Sequence, residues 1–320
     1  MNEFSVIKKY FSNLSKNNRG SFDLSDDIFF DYNKKVGISI DSYVEGRHFL
    51  NFKNPNLVIK KALRGAISDL ICKGITPKYY FMSCSGNKKH LTQANLAKIQ
   101  LALKEEQKKY NVFLAGGDTS HSNRLSITLS VVGYSKKNPV LRSGAKVNDD
   151  IYITNTIGDA FLGLKLLKGK IKLSKKNSDY FVRRFYLPIL PIKFSKKIHL
   201  FANSAIDISD GFFQDLQHIL SRSNLSSKIF KNKIPISSYL NSYLIRTKKN
   251  KLNFISNGDD YQILFTANKK MRNLIKKISK STSTKVSIVG IVKNKSISKN
   301  TKSTEKKFKF PKKLGYIHNF

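Results

Sequence analysis

Asp41, Glu45, Arg47 and His48 crowd into one stretch, Ser39-Ile40-Asp41-Ser42-Tyr43-Val44-Glu45-Gly46-Arg47-His48-Phe49. Carboxylates of this kind hold a hard divalent cation, and a guanidinium or imidazole beside them takes an anion or a polar substrate. An exposed polar loop would use the same residues, so this stretch alone leaves both readings open. Further carboxylates stand at Asp26-Asp27, Asp69, Gly116-Gly117-Asp118, Asp207-Ile208-Ser209-Asp210 and Gly258-Asp259-Asp260. Each has a bland alternative: an ordinary turn at Asp26-Asp27, a helix cap at Asp207 and Asp210. For Asp69 it is a surface pair with Lys73 worth about 0.3 kcal/mol. Adjacent residues on a strand edge point to opposite faces, so only one of Asp26 and Asp27 is expected to face a shared site, and Asp27 is chosen.

Arg142, in Arg142-Ser143-Gly144-Ala145, carries the planar fork that matches phosphate oxygens. Gly116 and Gly117 let a phosphate approach the backbone, and Asp118 beside them can hold Mg²⁺. The chain has no Gly-x-x-x-x-Gly-Lys-Ser/Thr loop, no Gly-x-Gly-x-x-Gly after a strand and no kinase catalytic loop. Nucleotide chemistry would therefore rest on carboxylates and metal. Phosphoryl transfer asks mainly for positioning and charge neutralisation. Mg²⁺ takes one or two carboxylates per ion, so aspartates from several strand ends imply several ions.

The elements that must position these residues follow from periodicity. Residues 1–20 read as a helix, and 36–40 as a buried strand ending on Asp41. Residues 57–73 read as a helix on the spacing of Ala62, Leu63, Ala66, Ile67, Leu70 and Ile71, with Gly74 as its C-cap. A second helix spans 92–110. Residues 112–120 read as another buried strand, now with two glycines and then Asp118, and 125–134 as an alternating strand. Strands are also expected at 151–154, 262–266 and 286–292, and helices at 159–167, within 177–201 and at 213–221. The polar stretch 135–139 divides the chain into 1–138 and 139–320. The Lys-rich segment 293–313 reads as a loop.

The net charge of +38, from 59 Lys and Arg against 21 Asp and Glu, invites a nucleic-acid reading. The lysines are spread along the chain beside Asn, Ser and Ile, as an AT-rich codon bias acting on solvated surface would leave them. A basic RNA-associated protein remains the alternative from a different class. No stretch has the apolar length of a membrane span. Cys72 and Cys84 form no ligand-spaced cluster, which fits a reducing cytoplasm.

Taken together and in this order, the motifs resemble the thiamine-monophosphate kinase family: Asp26-Asp27, Asp41 to Phe49, Ser68-Asp69-Leu70, Gly116-Gly117-Asp118-Thr119, Arg142 to Ala145, Asp207 to Gly211, Gly258-Asp259-Asp260-Tyr261 and Gly315-Tyr316-Ile317-His318. The resemblance covers nearly the whole chain. It implies the α/β fold of aminoimidazole ribonucleotide synthetase: two domains, with the N-terminal mixed sheet forming a homodimer interface. It implies ATP-dependent phosphorylation of thiamine monophosphate to thiamine diphosphate. Carried over by motif, Asp27, Ser39, Asp41, Asp69, Asp118, Asp207 and Asp210 match metal positions. Gly117, Asp118, Arg142 and Ser209 match the ATP site, and His48, Asp259 and Tyr316 the substrate site. Departures are Ser25 for a usual Gly, Ile40 for a usual Thr and Asp259 for a usual Glu. Cys72-Lys73 stand in place of a small residue and Met, which reads as packing drift. Another ATP-using enzyme of the same superfamily is the runner-up.

Overall fold

The structure is a computed structural model and describes residues 3–295 and 314–316. Strands β1 (Phe29–Asp31), β2 (Val36–Val44), β3 (Thr76–Gly86), β4 (Phe113–His121) and β5 (Ser126–Tyr134) form a sheet ordered β1-β2-β5-β3-β4. All its pairs are antiparallel except β3 with β4, so the sheet is mixed. On β5, Ile127, Leu129 and Val131 alternate with less buried residues and face the core. That alternation leaves one sheet face for helices and one without them.

The helix Pro55–Cys72 covers the inner face. Proline opens it where the missing N–H costs nothing. Gly74 closes it with φ +79, its N–H donating to the Ile71 carbonyl at 3.0 Å. Ala62, Leu63, Ala66, Ile67, Leu70 and Ile71 are buried, as their spacing required. The helix Gln93–Tyr110, N-capped by Thr92, packs beside it. The two are clamped by Arg64, whose Nε and Nη2 donate to Glu106 at 2.7 Å each, both residues buried.

The second sheet is antiparallel throughout. It comprises β6 (Asp150–Thr154), β7 (Ala202–Asp207), β8 (Leu225–Ile229), β9 (Ile263–Ala267) and β10 (Val286–Asn294), in the order β7-β9-β6-β10-β8. The last turns of Pro55–Cys72 lie against β7, with Ser68 Oγ donating to Asp207 Oδ2 at 2.8 Å. One helix therefore joins the two sheets. The fold is α/β in two layered halves.

Several sequence expectations need correction. β2 does not stop at Asp41: its ladder with β5 runs on to Val44 opposite Ser126. β4 is not buried, because it is the edge strand of its sheet; the residues at 116–118 lie inside it as expected. Residues 3–24 are not one helix but a short α-helix, a π-turn and two 3₁₀ segments. Phe22, Asp23 and Leu24 adopt left-handed backbone, which no continuous helix tolerates. Most of the Lys-rich segment 293–313, and His318, lie outside the described residues.

Candidate active site

A cavity of about 780 Å³ draws its walls from both sheets. β2 brings Asp41, Ser42 and Tyr43, and the turn after it brings Arg47 and His48. The Pro55–Cys72 helix contributes Asp69. β7 ends on Asp207, and the turn that follows adds Ser209 and Asp210. Arg142 and Asp27 stand on the same wall. The loop at 257–259 closes in because Gly258 has no side chain: a Cβ there would lie 1.6 Å from the Ser209 carbonyl oxygen. That approach lets the Asp259 N–H donate to Ser209 O at 2.9 Å.

The electrostatics divide the carboxylates into two groups. Asp41, Asp69, Asp207 and Asp210 make no ion pair among the described residues. Burial, then the charge of Asp207, pushes the Asp41 carboxyl up to about 6. Burial, then Asp41 and Asp207, holds Asp69 well above the carboxylate range. Burial also raises Asp207. Burial, with Glu3 next, raises Asp210 to about 7. Four crowded acids without a cation are what a divalent-ion site presents before the ion binds.

The second group is Asp26 and Asp27. Asp26 Oδ2 accepts the Arg142 backbone N–H at 2.8 Å, and Asp27 Oδ2 accepts Arg142 Nε at 2.9 Å. The fully buried Lys73 Nζ lies 2.8 Å from Asp26 Oδ1 and 3.2 Å from Asp27 Oδ2. Burial works most strongly against the Lys73 charge, but Asp26, Cys72 and Asp207 together outweigh it and the pKa rises. Lys73 therefore does not pair with Asp69, and its position is not packing drift.

On the other side of the cavity, Asp259 Oδ1 is 2.8 Å from the ammonium of Lys61, which is 1% exposed and also donates to the His48 carbonyl at 3.1 Å. The Lys61 ammonium sits 3.4 Å from the Phe185 ring centroid. Tyr43 OH donates to Asp41 Oδ2 at 3.2 Å and lies 3.5 Å from Tyr261 OH, which donates to Asp259 Oδ1 at 3.3 Å. His48 Nδ1 accepts the Val44 N–H at 2.9 Å, and the residue lines the cavity. Tyr316 reaches the rim because its N–H donates to the Asp210 carbonyl at 3.0 Å.

Of the residues singled out from sequence, Asp27, Asp41, Asp69, Asp207, Asp210, Arg142, Ser209, His48, Asp259 and Tyr316 line this cavity. Ser39, Gly117 and Asp118 do not. Ser39 points to the helix side of β2, where its hydroxyl is spent on the Ala66 carbonyl at 3.1 Å. Gly117 and Asp118 lie on edge strand β4. Both Asp26 and Asp27 turn the same way, since they occupy a bend before β1 rather than a strand. Sequence reading missed Lys61, Tyr43, Tyr261 and Glu3. Lys61 had no signal, because it falls on the side of the helix opposite the apolar stripe of Ala62, Leu63, Ala66, Ile67, Leu70 and Ile71. Glu3 had none, because it reaches the cavity through packing remote in sequence, such as that of Phe4 on His218, with ring centroids 4.8 Å apart.

Residues 25–135 match the family described as AIR synthase related protein, N-terminal domain. The thiamine-monophosphate kinase of Buchnera aphidicola subsp. Acyrthosiphon pisum is 36% identical over 326 residues, covering 99% of this chain and 98% of that protein. That of Escherichia coli strain K12 is 32% identical, with 82% of each chain covered. The solved structure of AaThiL complexed with AMPPCP and TMP matches with a TM-score of 0.80 at 27% identity, covering 92% of this chain and 91% of that one. The chain belongs to the thiamine-monophosphate kinase family.

Proposed function

We propose that this enzyme transfers the γ-phosphoryl group of ATP to the phosphate of thiamine monophosphate, giving thiamine diphosphate and ADP. The observation that carries the reading is the convergence of Asp41, Asp69, Asp207 and Asp210, from β2, the joining helix and the β7 turn, on one cavity that also holds Arg142. The bound AMPPCP and TMP of AaThiL support the same pair of substrates.

The four unpaired carboxylates suit Mg²⁺, and they are the residues that would hold it. Bound there, the metal would neutralise phosphate oxygens and lower the repulsion between two anionic substrates. The protein's own residues do the rest. Arg142, fixed by Asp27, presents a pre-oriented guanidinium to phosphate. Tyr316 offers a ring face to a cationic heteroaromatic group. His48, oriented by the Val44 N–H on its Nδ1, lines the same wall as a hydrogen-bond partner for the substrate. Asp259, held by Lys61, fixes that end of the cavity. Acceptor and donor would meet in the space between, where alignment is the main catalytic contribution.

Ile38, Ile40, Tyr79, Phe81, Phe113, Leu114 and Tyr134 leave a broad apolar area exposed on the first sheet. We assign that face to a homodimer interface. The family roles of Gly117 and Asp118, on the edge of the same sheet, then require a contribution across the dimer. The division into 1–138 and 139–320 falls between Tyr134, the end of the first sheet, and Asp150, the start of the second. Among the described residues no helix is long and apolar enough to cross a membrane. We place the enzyme in a reducing cytoplasm, where the buried free thiols Cys72 and Cys84 would stay reduced.

The test is ADP release from Mg²⁺-ATP with and without thiamine monophosphate, and again after EDTA. The reading expects ADP and thiamine diphosphate in equal amounts, only with acceptor and metal both present. ADP formed equally without thiamine monophosphate would remove the proposed acceptor.

A further inference from the structure

Among the described residues the Lys73 ammonium lies between two carboxylates, those of Asp26 and Asp27, of which Asp27 lines the cavity. Its three N–H donors have three oxygen partners: Asp26 Oδ1 at 2.8 Å, Asp27 Oδ2 at 3.2 Å and the Ala205 carbonyl at 2.8 Å. Two carboxylate oxygens and a backbone carbonyl are also the oxygens a hard divalent cation would choose. The side chain is completely buried, so the charge cannot leave by swinging into solvent. Asp27 has a second cation as well, since the Arg142 guanidinium grips it through Nε and Nη2. Asp26 accepts two neutral donors besides, the backbone N–H groups of Arg142 and Asp27.

The neighbouring acids contrast with this pair. Among the described residues, Asp41 accepts from the Tyr43 hydroxyl, and Asp207 from the hydroxyls of Ser68 and Ser209. No side-chain cation contacts Asp69 or Asp210 among the described residues. Charge is thus already balanced at one end of the acidic wall and unbalanced at the other. A divalent ion arriving at Asp27 would meet an ammonium and a guanidinium at contact distance, and repulsion would oppose it.

We propose that the Lys73 ammonium is a built-in substitute for one divalent cation, so that Asp27 orients Arg142 and is not a metal ligand in this chain. The inference rests on reading the cavity as a cation-assisted phosphoryl-transfer site. It also departs from the metal role that family resemblance implies for Asp27.

Counting bound Mn²⁺ on the full chain by electron paramagnetic resonance tests it, with circular dichroism confirming that each variant is folded. Asp27→Asn should bind as many ions as the unaltered protein, whereas Asp69→Asn should bind fewer. Lys73→Met, which keeps the shape and removes the charge, should gain one ion per chain. If Lys73→Met does not fold, Asp27→Asn decides alone. Loss of an ion in Asp27→Asn, or no gain in a folded Lys73→Met, would overturn the proposal and leave the phosphoryl-transfer reading standing. Absence of Mn²⁺ binding in the unaltered protein would overturn both.

Discussion

Replacing Asp69 by Asn removes one negative charge from a place where burial and the charges of Asp41 and Asp207 already oppose ionisation. The change keeps the side-chain shape and relieves like-charge crowding, so the metal-free fold should be as stable as before or more so. Turnover should fall by about 100-fold or more, the scale seen when one electrostatic stabiliser of a transition state is lost. Thermal unfolding and ADP release on the same preparation separate the two effects; a variant that loses both together would make Asp69 a structural residue. Gly65 offers a second test at this scale. A Cβ on Gly65 would lie 1.7 Å from the Tyr43 hydroxyl, which bonds to Asp41. Gly65→Ala should therefore cost about 1–3 kcal/mol by overpacking and disturb the cavity at Asp41. Adding Tyr43→Phe removes the clashing oxygen, so the double variant should regain part of that stability in a urea titration. No recovery would mean that the strain lies elsewhere.

The Pro55–Cys72 helix carries the argument at the next scale, because it packs on the first sheet and also supplies Asp69, Lys61 and Lys73. Its seating depends on the buried Arg64–Glu106 pair, with a third bond from Arg64 Nη1 to the Pro188 carbonyl at 3.1 Å. Arg64→Ala leaves Glu106 charged and 2% exposed without its partner. Breaking a buried pair this way costs about 3–5 kcal/mol. A loss below about 1 kcal/mol in denaturant unfolding would mean that water or another cation reaches Glu106. The helix was legible in sequence, since its apolar spacing and Gly74 depend only on near neighbours. Its buried cations were not. Lys61, Arg64 and Lys73 look solvated in a chain this rich in lysine, and their partners Asp259, Glu106 and Asp26 are remote in sequence. The same limit explains β4, where a local apolar run says nothing about whether a neighbouring strand or helix will cover it. It also explains Ser39, which shares a face of β2 with Asp41 but lies further under the helix, where the Ala66 carbonyl takes its hydroxyl, a contact between residues remote in sequence. The acidic residues of the cavity were legible because several short motifs agreed, and the fold brings them together from both sheets.

For the whole molecule, the acidic cavity sets a charge problem that the surplus of surface lysine does not solve, since the lysines stand in solvent and the acids are buried. Asp41 is raised to about 6 and Asp210 to about 7, both chiefly by burial. A carboxyl whose folded pKa lies above its unfolded value of about 3.9 binds its proton more tightly in the folded state. Its contribution to stability is then complete below the unfolded pKa and is lost as pH rises through the folded pKa. Without metal, these two groups should therefore make the protein less stable between about pH 4 and 7 as they ionise. A divalent cation binds the ionised carboxylates and not their protonated forms, so its stabilisation must grow over the same interval. The expected result is a melting temperature in EDTA that falls by several degrees from pH 5 to pH 8, and an Mg²⁺-induced rise that is small at pH 5 and large at pH 8. Glu3→Gln should shift this transition to lower pH, because Glu3 is the largest charge influence on Asp210 after burial. Scanning calorimetry at three pH values, with and without Mg²⁺, measures all of it. An Mg²⁺ effect independent of pH would place the cation away from Asp41 and Asp210, and with it the proposed site of phosphoryl transfer.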